Sequence, residues 1–298
     1  MVVDAASLLF VQNFVLLGLI VFLTIYLDRL SASPIIAIFS RWFRWIAISL
    51  GVPHLMVSLE WSLRPFGVLS IFCFLLWFLL ETLYNWVAIA AMSRGDIPLF
   101  PRYESNDSGD EWPASRKYIG LREWIREKGF VRIEAARAAY SEEYVMRSSI
   151  YQNEEGTVRI QIYFLPHRTG KVSVCYSISS KLESGIRLIT DNLYLPFGGF
   201  FPENWELERK PWTRSLRSLL KKHLNRLETS GVERVFWEDD PLDDLNKQQQ
   251  IIESTNTQLG ILVPRHQHEE YGRITWEGRY RFWKELWFLN YFGLTLPG

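Results

Sequence analysis

The sequence has too few cysteines to build a disulfide framework. Its 298 residues include two, Cys73 and Cys175. Cys73 lies inside a long apolar run and Cys175 inside a strand-like segment, so the two thiols are not expected to meet. An unpaired thiol in a water-exposed domain favours a reducing compartment.

The sequence also has no excess of charge of either sign. Lysine and arginine together number 33, aspartate and glutamate together number 33, and the formal net charge is zero. A protein that binds nucleic acid broadly needs a basic surface that displaces counterions from the phosphates. The balance therefore argues against nucleic acid as a partner.

No familiar catalytic or cofactor motif occurs in the chain. It lacks the Gly-x-Ser-x-Gly, Walker A, Gly-x-Gly-x-x-Gly, His-Glu-x-x-His and Cys-x-x-Cys patterns. Their absence does not exclude an enzyme, but it leaves no residue to which catalysis can be assigned. No cofactor is expected either.

What the sequence does have is an apolar N-terminal third. Residues 1–93 carry only four acidic and four basic side chains, which leaves 29 of each sign for residues 94–298. This asymmetry predicts a membrane region over residues 1–93 and a polar linker over residues 94–116. A soluble domain is predicted over residues 117–298.

Two segments of the membrane region have the length and composition of transmembrane helices. Residues 8–27 carry no charge, and residues 66–93 carry only Glu81. About 20 apolar helical residues cross a ~30 Å hydrocarbon core. The first segment lacks the basic start and the small-residue cleavage site of a signal peptide, so an uncleaved helix is predicted.

Residues 34–50 form a further apolar segment, which carries Arg41 and Arg44. Each of these arginines is followed by a tryptophan, a composition typical of the headgroup region of a bilayer. We predict an interfacial or re-entrant helix that is closed by the Gly-Val-Pro sequence at 51–53. A third full span is the alternative.

The arginines of the membrane region bear on its orientation. Those between the two predicted spans are Arg29, Arg41, Arg44 and Arg64. With two spans, the positive-inside rule places this loop in the cytoplasm and the soluble domain outside. With a third span the rule no longer decides, and the unpaired Cys175 favours the cytoplasm. We expect an integral protein of the bacterial inner membrane with a cytoplasmic domain.

The soluble part is predicted to be an α+β domain with a four-stranded antiparallel meander and about four helices. Short turns that contain glycine separate four strand-like runs, and apolar residues at helical spacing mark the other elements. The predicted strands are 144–152, 157–165, 171–180 and 185–192. The predicted helices are 118–128, 213–229, 241–259 and 276–292.

One face of the two middle strands is polar. It carries Arg159, Gln161 and Tyr163 on one strand and Ser173 and Ser177 on the next, because alternate residues of a strand share a face. Two interpretations remain open. This face is either a solvated outer surface or a surface that holds a ligand or peptide.

Two aromatic segments follow the strands. Residues 190–202 place aromatic side chains between glycines and prolines, which predicts a structured loop that contacts the membrane or a partner, or folds back onto the core. The last helix, 276–292, is apolar nearly all round. It is predicted to lie either at the centre of the core or against the bilayer.

Two short clusters contain side chains that bind metal ions in other proteins. His266 and His268 are alternate residues that share one side of an extended segment, but no further ligand follows at a recognised spacing. Asp239 and Asp240 belong to an acidic run that could bind Ca²⁺ or Mg²⁺. Capping of the following helix also accounts for that run, so no metal site is assigned.

Two single ionisable residues have both a structural and a chemical interpretation. His223 lies on the leucine stripe of the helix 213–229. It is either a general base or a structural residue at the edge of the core. Glu81 interrupts an apolar span, either to handle ions or protons or to face a neighbouring helix. The structural role is favoured for both.

The order of these parts resembles a group of uncharacterised bacterial membrane-anchored proteins. The resemblance is carried by the N-terminal spans, a helix ending at Gly129-Phe130, a meander ending at Thr190-Asp191-Asn192 and an arginine-rich helical tail. It implies no activity and no functional residue. We predict a membrane-anchored binding or scaffolding module that contacts the bilayer and a protein partner or a second copy. A membrane-bound hydrolase or metalloenzyme and a subunit of a transporter complex are the alternatives.

Overall fold

The computed structural model of the chain describes residues 5–31, 33–108, 112–141, 144–166, 172–197, 199–268 and 272–296. Its helices are α1 (Ala5–Ser31), α2 (Pro34–Ile46), α3 (Val52–Ser58), α4 (Phe66–Arg94), α5 (Arg116–Glu127), α6 (Leu216–Ser230), α7 (Pro241–Gln258) and α8 (Trp276–Phe292). A π-helical turn, Ala47–Gly51, joins α2 to α3, and a 3₁₀ turn lies at Arg265–Gln267.

One mixed sheet of eight strands follows the N-terminal helices. Its strands are β1 (Tyr103–Ser105), β2 (Phe130–Ala139), β3 (Val145–Asn153), β4 (Val158–Pro166), β5 (Val172–Leu182), β6 (Arg187–Asp191), β7 (Trp205–Arg209) and β8 (Arg234–Val235). The order is β1-β2-β3-β4-β5-β6-β7, with β8 paired to β5. All pairs are antiparallel except the parallel pair of β6 and β7.

The predicted four-stranded meander is present as β3 to β6, but the predicted size of the sheet is wrong. Strand β2 contains the sequence Glu-Ala-Ala-Arg-Ala-Ala, whose residues favour a helix by propensity. Pairing with β1 and β3 overrides that preference, and Ala136 and Ala138 become fully buried. Strand β7 was missed because three of its five residues are charged.

The first face of the sheet holds the main apolar core. The side chains of Ile160, Ile162 and Ile178 are fully buried there, against Leu216 and Leu219 of α6. These strand positions alternate, and the two leucines lie three residues apart, as a strand and a helix packed face to face require. We call this surface the α6 face.

The opposite face, which we call the α7 face, is covered by α7. Ala136 and Ile150 of the sheet pack against Leu245 of α7, and the polar residues Arg159 and Gln161 are buried. The interpretation of this face as a solvated outer surface is therefore wrong. Helix α7 brings its own apolar residues onto the sheet, and the polar strand residues become internal.

The N-terminal helices pack against one another along their lengths. The break predicted at 51–53 is absent, because the π-helical turn carries the helix on through α3. Pro53 is tolerated at the start of α3, where its missing N–H costs no helical hydrogen bond. A Cβ at Gly51 would lie 1.9 Å from Cε2 of Phe14, so glycine permits α1 to approach closely.

Two helical segments are long and apolar enough to cross a bilayer, Pro34–Ser58 and Phe66–Arg94. Residues 14–28 of α1 form a further apolar stretch. Large apolar side chains on these helices face outward, and Phe22 and Ile71 have 69% and 63% of their surface exposed. An apolar surface of this extent is unusual on a protein that is surrounded by water.

Helix α8 packs on the N-terminal helices and not in the centre of the sheet domain. Phe282 shares an apolar cluster with Ile89 of α4. The ring of Trp276 stacks on Trp86 of α4 at 4.8 Å between centroids. The opposite side of α8 faces the sheet domain, where Glu285 is buried. Helix α8 thus joins the two parts of the chain.

Residues 94–116, predicted as a polar linker, contribute to the packed domain. They include β1, whose Tyr103 is buried in the cluster beneath α7, and Trp112, which packs against the core on the α6 face. The aromatic side chains outweigh the polar composition of the stretch, because each buries a large apolar area. Asp110 and Glu111, also assigned to the linker, lie outside the described residues.

Candidate functional site

A cluster of charged side chains surrounds the buried ring of Trp237 on the α7 face. We call it the Trp237 cluster; its members are Arg159, Lys181, Arg187, Asp239 and Asp244. The guanidinium carbons of Arg159 and Arg187 lie 4.4 and 4.7 Å from the centre of the indole ring, and Lys181 Nζ lies 4.6 Å from it. Three neighbouring strands, β4 to β6, supply the cations, and the segment that begins α7 supplies the carboxylates.

Two of the three cations have a carboxylate of their own. Asp244 accepts hydrogen bonds from both terminal nitrogens of Arg187, at 3.0 and 2.7 Å. Lys181 forms an ion pair with Asp239. The Arg187–Asp244 pair is buried and compensates for the removal of its charges from water, whereas the side chains of Lys181 and Asp239 are 32% and 33% exposed.

Arg159 shares the carboxylate of Asp244 with Arg187, and its hydrogen bonds go to neutral acceptors. Its Nε donates to Gln152 Oε1 at 2.8 Å and its Nη2 to the backbone oxygen of Asp239 at 2.6 Å. Its Nη1 lies 3.6 Å from Asp244 Oδ2, beyond hydrogen-bonding distance, and has no hydrogen-bond partner in the described part of the chain. Burial lowers the pKa of Arg159 from its ordinary value.

A small cavity of about 40 Å³ lies between this cluster and α7. Four of the residues predicted to form a ligand face line it, namely Arg159, Gln161, Tyr163 and Ser177. Ser173, the fifth, lies on the same strand face but does not line the cavity. The structure therefore brings together most of the predicted face, inside the protein.

The polar residues beside the cavity continue as a hydrogen-bonded row. Tyr163 donates to Gln161 Oε1 at 2.7 Å, and Gln161 Nε2 donates to Ser148 Oγ at 3.4 Å. Farther along, Arg209 of β7 forms an ion pair with Asp191 of β6 at 2.8 Å. Burial raises the pKa of Asp191, and the bonds from Arg209 oppose that rise.

A large groove of about 1460 Å³ runs along the outer edge of β7. All five residues of β7 line it. Its other walls are the aromatic segment before β7, the end of α7, Arg226 of α6 and Glu285 of α8. Among the described residues, β7 pairs with β6 alone, so its second edge is open to the groove.

The hydrogen bonds to β6 show which backbone groups of β7 point into the groove. Arg187 N–H donates to Asn204 O, and Lys210 N–H donates to Asp191 O, so the even-numbered residues face β6. In a parallel pair, alternate residues direct their backbone groups to opposite sides. The N–H and C=O groups of Leu207 and Arg209 therefore face the groove.

The aromatic wall of the groove is fixed by Asn256 of α7. The Asn256 side chain accepts a bond from Phe200 N–H at 2.7 Å and donates to Phe200 O at 2.8 Å. A Cβ at Gly199 would lie 2.5 Å from Asn256 Oδ1, so glycine permits this contact. Of the two roles predicted for residues 190–202, the described part around Phe200 folds back onto the domain.

Replacing Asn256 with alanine is expected to loosen this wall. The change leaves the part-buried N–H and C=O of Phe200 without their side-chain partner, which costs about 2 to 3 kcal/mol of unfolding free energy. Chymotrypsin should then cut faster after Phe200 and Phe201 in limited digestion, and thermal unfolding should begin at a lower temperature. The control is Asn225→Ala on the exposed surface of α6; equal cleavage rates in both variants would contradict the role of Asn256.

Glu81 lies at the contact between α4, α2 and α8. Its Oε2 accepts a hydrogen bond from Trp45 Nε1 at 2.9 Å and another from the hydroxyl of Tyr291. Above this contact, Arg41 of α2 donates to the hydroxyl of Tyr194 in the sheet domain at 3.2 Å. Glu81 therefore faces neighbouring helices, which agrees with the structural role favoured for it.

His223 is fully buried on the α6 face between two hydroxyls. Its ring nitrogens lie 3.1 Å from Ser180 Oγ and 3.0 Å from Thr190 Oγ1. Burial, together with the nearby Arg226 and Arg234, lowers the pKa of His223 to about 3. A neutral, enclosed ring of this kind has no access to a substrate, so the structural role again fits best.

The residues considered as metal ligands are separated in the structure. Within the described ranges, no group of three or more His, Cys, Asp or Glu side chains could hold a metal ion. His266 is exposed, and His268 bonds to Val263 O at 2.7 Å. Asp240 accepts bonds from the N–H groups of Leu242 and Asp243, which confirms its role as the N-cap of α7.

No family model, no curated protein and no solved structure matches this chain. Its function must therefore be argued from its own site.

The sequence indicated the residues under α7 but not Trp237, Arg187 or the open edge of β7. The three basic residues on the neighbouring strands β4 to β6 were a sequence signal for the Trp237 cluster. No sequence signal pointed to the open edge of β7, since strand order depends on contacts between distant parts of the chain.

Proposed function

We propose that this protein is an integral membrane protein whose sheet domain binds an extended segment of a partner protein along the open edge of β7. The observation that carries the proposal is the groove of about 1460 Å³ along an edge strand that, in the described ranges, pairs on one side only. An extended peptide that adds to such an edge gains backbone hydrogen bonds from the strand and specificity from side-chain pockets.

The two sides of the groove differ in chemistry. On the side of the α7 face it offers apolar surface, from Phe201, Trp205 and Leu259. On the side of the α6 face it offers the exposed carboxylate of Glu206, beside Glu208, which is already paired with Lys210 and Arg226. Because side chains of a strand alternate between faces, the segment that fits has alternating apolar and basic residues.

The anchoring part of the proposal has the α1, α2–α3 and α4 segments crossing the bilayer. Arg41 contacts the sheet domain, and Arg94 ends α4 on the same side. The connection between α3 and α4 lies at the other end and holds Arg64 and Glu60. With three spans, the greater number of arginines lies on the domain side, and the positive-inside rule then favours a cytoplasmic domain.

Labelling with a membrane-impermeant maleimide in intact bacterial cells tests this orientation. Both native thiols are buried, which keeps the background low. A Ser62→Cys variant, between α3 and α4, should react from outside. A Ser230→Cys variant, at the exposed end of α6, should react only after the cells are permeabilised. The reverse pattern would place the domain outside the cell.

Binding is tested by selecting displayed random peptides against the full-length protein in detergent. We expect enrichment of segments with alternating apolar and basic residues. A Leu207→Pro variant removes one N–H that faces the groove and leaves the ladder to β6 intact, because proline is tolerated on the free side of an edge strand. Affinity should fall roughly 10- to 100-fold, since a buried peptide acceptor loses its donor.

The matched control is Leu207→Val, which keeps both the N–H and an apolar side chain. It should bind within about threefold of the wild type. Circular dichroism and thermal unfolding check that both variants keep the sheet. Equal affinity of the proline and valine variants, or selection that yields no common pattern, would overturn strand addition at β7.

A further inference from the structure

Arg159 is a buried cation in excess of the carboxylates around it. The Trp237 cluster has two carboxylates for three cations: Asp239 pairs with Lys181, and Asp244 is shared by Arg187 and, at 3.6 Å, Arg159. The side chain of Arg159 is only 7% exposed. Isolated charges are not buried without compensation, because removing an ion from water costs several kcal/mol even after relaxation.

The partners that Arg159 does have compensate only in part. The face of Trp237 attracts the guanidinium group, but the same ring also lies under Lys181 and Arg187. Asp240, the next nearest acid of the segment, is exposed and engaged in capping α7. The N-terminal end of α7, which carries partial positive charge, adds to the excess.

The donor groups that remain lie around the cavity of about 40 Å³. In the described part of the chain, Arg159 Nη1 and Arg187 Nε are buried and have no hydrogen-bond partner, and both residues line the cavity. The cavity is also lined by Ser177 and Ser179, and by Asp244, whose carboxylate is already held by both terminal nitrogens of Arg187. A site with two guanidinium donors and two hydroxyls has the chemistry of an anion site.

We propose that this cavity binds a monatomic anion, of which chloride is the natural case. The volume admits one such ion or a few water molecules and leaves no room for a nucleotide, a sugar or a peptide. The anion neutralises Arg159 and accepts bonds from donors that otherwise have no partner. The anion occupies the cavity on the α7 face, apart from the β7 groove. The proposal therefore does not depend on the proposed binding function.

Thermal unfolding of the full-length protein in detergent micelles tests the proposal. Sodium chloride and sodium bromide are each exchanged against sodium gluconate at constant ionic strength, and unfolding is followed by tryptophan fluorescence. Both halides should raise Tm by about 2 to 6 °C, and the rise should level off at high halide concentration. The reason is that a ligand that binds only the folded state stabilises it by mass action. An equal Tm in halide and gluconate would mean that the cavity holds water, and would overturn the proposal.

Serine variants localise the effect with little risk to the fold. Ser179→Ala and Ser177→Ala each remove one hydroxyl at the cavity and should raise the half-saturating halide concentration about fivefold, as one lost hydrogen bond implies. Ser173→Ala lies on the same strand face outside the cavity, and should leave that concentration unchanged. Equal responses of all three variants would place the halide elsewhere.

Arg159→Gln tests the charge itself. It keeps hydrogen-bonding groups toward Gln152 and removes the cation, so the halide dependence of Tm should disappear in a folded protein. A halide response that persists unchanged in Arg159→Gln would also overturn the proposal. Should this variant not fold, the serine series and the gluconate comparison still decide the question.

Discussion

Replacing Asp244 with alanine is expected to lower the free energy of unfolding by about 3 to 5 kcal/mol. Asp244 accepts two hydrogen bonds from Arg187 and lies 3.6 Å from Arg159 Nη1. Its removal leaves two guanidinium groups buried without a carboxylate between them. Urea unfolding of the full-length protein in micelles, followed by tryptophan fluorescence, measures the loss, which is a large fraction of the stability of an ordinary domain.

Asp243→Ala is the matched control for this prediction. Asp243 is the preceding residue and also lies in the first turn of α7, but it is exposed. Its replacement removes only a favourable interaction with the helix dipole, worth about 0.3 to 1 kcal/mol. Similar losses in the two variants would show that the Trp237 cluster is solvated and that its ion pairs contribute little.

Acidification is expected to destabilise the sheet domain through His223. The pKa of this residue is about 3 in the folded protein, against 6.5 as its ordinary value. Between these two values the unfolded chain binds a proton that the folded protein does not bind. The stabilisation is therefore complete above pH 6.5 and is lost as the pH falls toward 3, by about 2 kcal/mol at pH 5 and on the order of 4 kcal/mol at pH 3.

Two histidine variants separate this effect from other titrations. His223→Gln should lower the stability at pH 7, because Ser180 and Thr190 lose well-placed partners, and should flatten the pH dependence between 6.5 and 4. His266→Gln, at an exposed position, should leave both unchanged. An undiminished acid response in His223→Gln would assign the effect to buried carboxylates and not to this ring.

Local signals in the sequence located most of the elements. The apolar lengths predicted helices close to α1 and α4, and alternation with glycine turns predicted β3 to β6 within two residues at each end. Capping predicted the start of α7 at Pro241, which is confirmed, and the predicted helix 276–292 has the same bounds as α8. These signals depend on neighbouring residues, so the sequence displays them directly.

What depends on distant contacts was not predictable in the same way. Nothing near Arg159 or Ser177 reveals that α7, more than sixty residues later in the chain, covers them. The helix continues beyond 51–53 at the place where Phe14 packs against Gly51, a contact between residues that are distant in the sequence. The candidate site follows the same rule, since its residue types were visible but its enclosure was not.

The position of α8 has a consequence for biosynthesis. This helix follows every strand in the chain, yet it completes the junction by bringing Tyr291 to Glu81 and Trp45. On the proposal that the N-terminal helices cross a bilayer, their insertion begins before α8 has been translated. During that interval the carboxylate of Glu81 lacks one of its two donors. A ribosome that stalls before codon 276 would leave the N-terminal helices and the sheet domain without the contacts that α8 makes to both.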